Sequence, residues 1–183
     1  MGSIGQLASD LGAPERSLRR AVALGTVRSR RLSERRLRLP DGEIEYLRDH
    51  WDLLAALRQA LRTEPAARTV ILIGSAARGD DRPGSDVDLL VDGHDREPLD
   101  RMRFGRRLEA KLGRRVDIAS LDRAESDPLT MLQVLDEGRV IVDRDDRWAG
   151  LRDRRAAVHK RATRSYRAQR RRAAAMLEEL RSP

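Results

Sequence analysis

The 183-residue chain has no cysteine, which excludes disulfides and thiolate metal sites and is compatible with a reducing compartment. Aromatic residues make up 3% of it, too few for the stacked-base platforms of single-strand-binding proteins. No apolar run reaches the length that spans a bilayer, and the N-terminus lacks a basic-then-apolar leader. A soluble, cytoplasmic protein with no membrane role is the expectation. Lysine is also scarce, so the net charge of +8 is carried almost wholly by Arg.

That charge is unevenly spread. Residues 1–40 hold nine Arg against Asp10, Glu15 and Glu34, a net +6. Residues 147–183 hold twelve Arg or Lys against Asp153, Glu178 and Glu179, a net +9, which leaves the middle at −7. An acidic centre between two basic arms points to arms that meet something anionic, with DNA or RNA first among the candidates. The length suits one ordinary domain with a smaller module.

The organising stretch is Val70-Ile71-Leu72-Ile73, then Gly74-Ser75, then ten residues to Asp86-Val87-Asp88-Leu89-Leu90-Val91. A short apolar run ending at Gly-Ser reads as a buried strand stopping at a tight turn. Gly74 allows close backbone approach, and Ser75 sets a hydroxyl beside free amides where a helix starts, which suits a phosphate. Side chains two apart on a strand share a face, so Asp86 and Asp88 point the same way. Two carboxylates on one face repel unless a cation lies between them, and Mg²⁺, which shares hard oxygens with substrate phosphates, is the natural candidate. A merely solvated acidic loop of Asp80, Asp81, Asp86 and Asp88 would not run straight into Leu89-Leu90-Val91.

The fuller pattern, Gly74-Ser75-Ala76-Ala77-Arg78-Gly79 through Ser85-Asp86-Val87-Asp88, resembles the signature of the nucleotidyltransferase superfamily related to DNA polymerase beta, in its minimal form. The resemblance implies a third carboxylate on a later strand, and Arg115-Val116-Asp117-Ile118-Ala119 offers Asp117 in an alternating apolar context. It also implies an α/β (α+β) fold, a small mixed sheet with helices on it, here over residues 43–145. Asp86, Asp88 and Asp117 are then the expected catalytic and metal-binding residues. Gly74, Ser75, Arg78 and Ser85 are the expected nucleotide-binding residues, with Mg²⁺ and ATP as cofactor and substrate.

Around this centre the chain reads as follows. Residues 4–11 and Glu15–Leu24 form two short helices joined at Gly12, a helix-turn-helix pattern. In such a motif Arg16, Ser17, Arg19 and Arg20 would meet DNA, and Arg30 and Arg31 would lie on a basic wing within residues 26–39. Residues 1–40 are therefore expected as a DNA-binding module. Ile44, Leu47, Trp51, Leu54, Leu57 and Leu61 mark an amphipathic helix, and His50 beside it reads as a surface histidine. Leu99, Met102, Phe104, Leu108 and Leu112 mark a second, with His94 a candidate base on the loop before it. A strand holding Asp117, a helix over 129–137 and a strand over Arg139–Asp143 follow. Residues 146–183 form a basic helical tail anchored by Trp148, Leu151 and Val158, with a small apolar face over 173–180.

The expected chemistry is Mg²⁺-dependent transfer of AMP from ATP to an acceptor hydroxyl. The resemblance favours a tyrosine of a partner toxin of the HEPN class, with the chain acting as antitoxin and binding DNA to regulate its own expression. Addition to tRNA, modification of a small molecule such as an aminoglycoside, and a non-enzymatic DNA-binding regulator that senses nucleotide remain open at this stage.

Overall fold

The computed structural model describes residues 4–33, 36–93 and 98–179. The two short N-terminal helices, α1 (Ile4–Asp10) and α2 (Glu15–Leu24), lead to a hairpin of β1 (Arg30–Ser33) and β2 (Arg36–Arg38). Gly25 ends α2 in the left-handed conformation at φ 92, where its amide closes the helix onto the Ala21 and Val22 carbonyls. A long helix α3 (Asp41–Leu61) then runs to the sheet.

The sheet has the order β5-β4-β3-β6, with β3 (Thr69–Ile73), β4 (Val87–Asp92), β5 (Val116–Ser120) and β6 (Arg139–Asp143). β3 is antiparallel to both β4 and β6, and β4 is parallel to β5. Strand alternation divides the core in two. Val70, Leu72, Leu89 and Val91 pack with Leu47, Leu54 and Leu57 of α3 and with Phe104 and Leu108 of α5 (Pro98–Leu112). Ile71, Leu90 and Val140 face the other way, onto Leu121 of α6 (Leu121–Ser126), Val134 of α7 (Pro128–Glu137) and Trp148 of α8 (Arg147–Asp153). The mixed α/β architecture matches the expectation.

The N-terminal helices share that first core. Leu7, Leu18, Ala21 and Val27 are buried in one cluster with Trp51 and Leu54. The stretch after α2 also covers the outer edge of β6: Val140 N–H donates to the Gly25 carbonyl, and the Thr26 hydroxyl donates to the Val140 carbonyl. An edge strand left bare invites pairing with other chains, and this segment blocks it.

Several expectations need correction. Leu99 and Met102 are exposed, because α5 buries only the side carrying Phe104 and Leu108. α6 stands between the Asp117 strand and the 129–137 helix, where no element was expected; it is one short turn-and-a-half, capped by the Ser120 hydroxyl accepting from the Arg123 amide. The basic tail is helical as expected, divided into α8 and α9 (Arg155–Glu179), and α9 packs along α7. Met176 and Leu177 are exposed there, and Leu180 lies outside the described residues. Among the described residues, no helix is long and apolar enough to cross a membrane.

Candidate active site

β3 delivers the chain into Gly74, which opens the single turn α4 (Gly74–Arg78) at φ +71. The β3–β4 register sets Ile73 opposite Asp88, so Asp88 stands directly beside that turn. The parallel β4–β5 register then pairs Asp88 with Asp117 on the adjacent strand and on the same face. Asp86 precedes β4 by one residue and belongs to the same alternation. The sheet thus brings together all three expected carboxylates.

Their electrostatics show the crowding. Burial, then the neighbouring Asp117 and Asp86 carboxylates, push the Asp88 acid above its usual range, while Arg78 acts weakly against this. Asp86 and Asp88 are half-buried, and Asp117 is exposed. Arg115 approaches Asp86 to 3.8 Å, but among the described residues Asp88 and Asp117 have no hydrogen-bond or ion-pair partner. Among the described residues, no group of three or more His, Asp or Glu stands as a ready-made metal cage. What fits a divalent cation is the donor set: three hard-oxygen carboxylates that destabilise one another.

The turn itself carries unpaired donors. The first N–H groups of a helical turn find no acceptor within it, and among the described residues the Ser75 hydroxyl is also free. Arg78 is partly exposed and shared between Asp80 at 3.2 Å and Glu137 at 3.3 Å. Ser85 is committed to its loop: its hydroxyl accepts from the Arg82 amide at 2.9 Å, and its carbonyl accepts from Arg114 at 2.7 Å.

Residues 56–147, half of the chain, match the family described as Polymerase beta, Nucleotidyltransferase. The chain belongs to this family, and it is a nucleotidyltransferase. No curated protein matches it. Among solved structures, a toxin–antitoxin complex with AMP-PNP is similar at 18% identity and TM-score 0.49, over 70% of this chain and 98% of that one. The toxin–antitoxin MntA-HepT is similar at 16% identity and TM-score 0.44, over 70% and 97%. A tri-AMPylated Shewanella oneidensis HEPN toxin in complex with MNT antitoxin is similar at 15% identity and TM-score 0.42, over 75% and 99%.

Behind the turn of this nucleotidyltransferase lies a polar network that sequence reading missed. Arg139, 1% exposed, holds both carboxylate oxygens of Glu43 at 2.6 and 3.0 Å and donates to the Ala77 carbonyl of α4 at 2.7 Å and the Thr26 carbonyl at 3.2 Å. Its guanidinium also lies 3.3 Å from the centre of the Tyr46 ring. Tyr46 donates to the Ala76 carbonyl at 2.9 Å; burial, with Arg139 opposing, pushes its hydroxyl up to about 12. Two carbonyls of the α4 turn are therefore fixed by side chains from β6 and α3. The signal was present in Arg139, a cation placed directly before the apolar run Val140-Ile141-Val142.

His50 corrects another expectation, since it is not a free surface residue. It stacks on Tyr46 with ring centres 4.4 Å apart, and its Nε2 lies 2.7 Å from Asp81. Burial would raise the Asp81 acid, but hydrogen bonds from His50 and Arg114 hold it below the usual carboxylate range. This ties the loop before Asp86 to α3. His94 lies outside the described residues.

The candidate DNA-contacting residues are dispersed. Arg16, Ser17 and Arg20 line a cleft against α3, whereas Arg19 points away and pairs with Glu15 at 2.7 Å. Arg30 sits opposite Arg38 on the hairpin, and the side chain of Arg31 is outside the described part.

Proposed function

We propose that this nucleotidyltransferase transfers AMP from ATP to a tyrosine hydroxyl of a partner toxin, as an antitoxin. The observation that carries the reaction is the registered pair Asp88 and Asp117 standing beside the Gly74 turn. The protein acceptor rests on the resemblance of Gly74-Ser75 and Asp86-Val87-Asp88 to minimal nucleotidyltransferases. Asp86, Asp88 and Asp117 would hold Mg²⁺, which when bound supplies positive charge against the triphosphate.

The chain's own residues divide the remaining work. The Gly74 and Ser75 amides and the Ser75 hydroxyl hold the outgoing phosphates, and Arg78 at the edge adds charge. The acceptor oxygen bonds to the α-phosphorus, the bond from that phosphorus to the β-phosphate bridge breaks, and pyrophosphate leaves. Asp117, the most exposed of the three, takes the acceptor proton on a carboxylate oxygen. Arg139 and Tyr46 keep the turn in place through the Ala76 and Ala77 carbonyls.

Nucleic-acid contact for autoregulation is best supported on the β1–β2 hairpin, where Arg30 and Arg38 face each other across the register. Replacing both by Gln should weaken duplex binding and flatten its salt dependence. Unchanged binding would remove the hairpin from consideration.

The deciding experiment for catalysis is incubation with labelled ATP, Mg²⁺ and host lysate, beside an Asp86→Ala/Asp88→Ala chain. Label on one discrete protein, absent with the variant, supports the reading and yields the partner by mass. Label on RNA would replace the acceptor, and label nowhere with any nucleotide would sink the enzymatic reading.

A further inference from the structure

A cleft of about 900 Å³ opens between α2 and α3, at the end of the sheet remote from the Gly74 turn. The β3–β6 register fixes that separation. Asp143, on the cleft, lies opposite Thr69 at the start of β3, whereas Arg139 lies opposite Leu72 near the turn. The volume is in the range of small-molecule sites.

Five arginines line it: Arg16 and Arg20 from α2, Arg58 and Arg62 from α3, and Arg144 after β6. The acid lining it, Asp143, is already engaged, accepting from the Thr69 hydroxyl at 3.1 Å and the Arg147 and Trp148 amides at 3.0 Å. Arg144 is spent on the Ala67 and Leu61 carbonyls, and Arg62 reaches Gln59 at 3.4 Å. Among the described residues Arg16, Arg20 and Arg58 have no hydrogen-bond or ion-pair partner. Burial, and then the nearby Arg20, hold the half-buried Arg58 guanidinium below its usual value. Like charges converge here on a concave space, with no free carboxylate among the described lining residues to offset them. Trp51, Ala55, Leu61 and Ile141 add an apolar lining.

We propose that this cleft binds a phosphate-bearing anion of nucleotide size, a nucleoside polyphosphate or its polyphosphate group alone, at a site separate from the three carboxylates. Guanidinium forks match phosphate oxygens, and the apolar lining suits a base. Duplex DNA is the poorer fit. A recognition helix must protrude into the major groove, but the Arg16, Ser17 and Arg20 side of α2 faces α3 across the cleft. The outward side of α2 carries Arg19, already paired with Glu15.

The test is calorimetric titration of an Asp86→Asn/Asp88→Asn chain in metal-free buffer, with ATP and separately with tripolyphosphate. Both substitutions disable the catalytic centre, so binding there and binding in the cleft are told apart. Saturable binding is expected, weakened roughly tenfold or more by adding Arg20→Gln/Arg58→Gln, because charge-assisted hydrogen bonds are lost. Arg19→Gln removes the same charge off the cleft and should leave binding unchanged. Arg20→Lys/Arg58→Lys keeps the charge, should retain much of the binding, and guards against misfolding of the Gln variant. Equal binding of tripolyphosphate and ATP would assign recognition to the phosphates, and binding of ATP alone to the whole nucleotide. The proposal is overturned by no saturable binding, by an equal loss in Arg19→Gln, or by duplex DNA displacing ATP with a steeper dependence on Arg20.

Discussion

A Cβ added to Gly74 would lie 2.1 Å from Oδ2 of Asp88. The Gly74 turn and the Asp88 carboxylate therefore share one space, and only glycine leaves room for both. Gly74→Ala should also suffer from the left-handed φ of +71, which costs an L-residue roughly 1–2 kcal/mol. We expect the melting temperature to fall modestly and nucleotidyl transfer to fall much further, since Asp88 must swing away. Thermal unfolding beside turnover checks this, and a variant with normal turnover would show that Asp88 and the turn do not act together.

Asp88 itself should display a conflict between stability and activity. Its acid is raised by burial and by Asp117 and Asp86, so its ionised form is disfavoured in the fold. For a raised carboxylate, the stability deficit is absent below the ordinary value and grows as pH rises through the raised one. Asp88→Asn should therefore melt higher than the parent at neutral pH, and the difference should vanish in acid. Transfer activity should drop by roughly a hundredfold or more. Melting curves across pH, measured without metal, decide the point; a variant less stable at neutral pH would contradict it.

The Arg139–Glu43 pair makes a different kind of prediction, because it is buried and complete. Removing one partner strands a charge, at a cost of about 3–5 kcal/mol. Glu43→Ala should destabilise by that order, and Arg139→Met/Glu43→Leu should recover much of the loss. The double variant should still show impaired nucleotide binding, as the Ala77 carbonyl has lost its donor. Denaturant unfolding and nucleotide titration on the three chains separate the two effects.

These cases show where the sequence was informative. Val70 to Ile73 with Gly74-Ser75 announced a strand and a turn, and the spacing of Asp86 and Asp88 announced a shared face. Both signals are local, a few residues long. The Arg139–Glu43 pair joins positions 96 residues apart, and the Thr26 hydroxyl meets the Val140 carbonyl across 114. No periodicity encodes such partners, so His50 read as a surface histidine and Arg139 only as the first residue of a strand. Leu99 and Met102 mislead in the opposite sense, since an apolar residue at helical spacing need not find a neighbour. Asp86 and Asp88 were legible from their spacing and Asp117 only through the family resemblance; their supporting shell was not.

The last prediction concerns acid. Asp81 is held below the usual carboxylate range by His50 and Arg114 in spite of its burial. A depressed carboxylate contributes stability that is full above the ordinary value and is lost as pH falls through the lowered one. Asp81→Asn should thus be less stable than the parent at neutral pH, and the gap should close only below the ordinary carboxylate range. Because Arg114 also holds the Ser85 carbonyl, the variant should loosen the segment leading into Asp86. Hydrogen exchange at residues 82–86 should then rise while exchange in β3 stays unchanged. A gap that persists undiminished to low pH would mean that Asp81 acts there by packing rather than by charge.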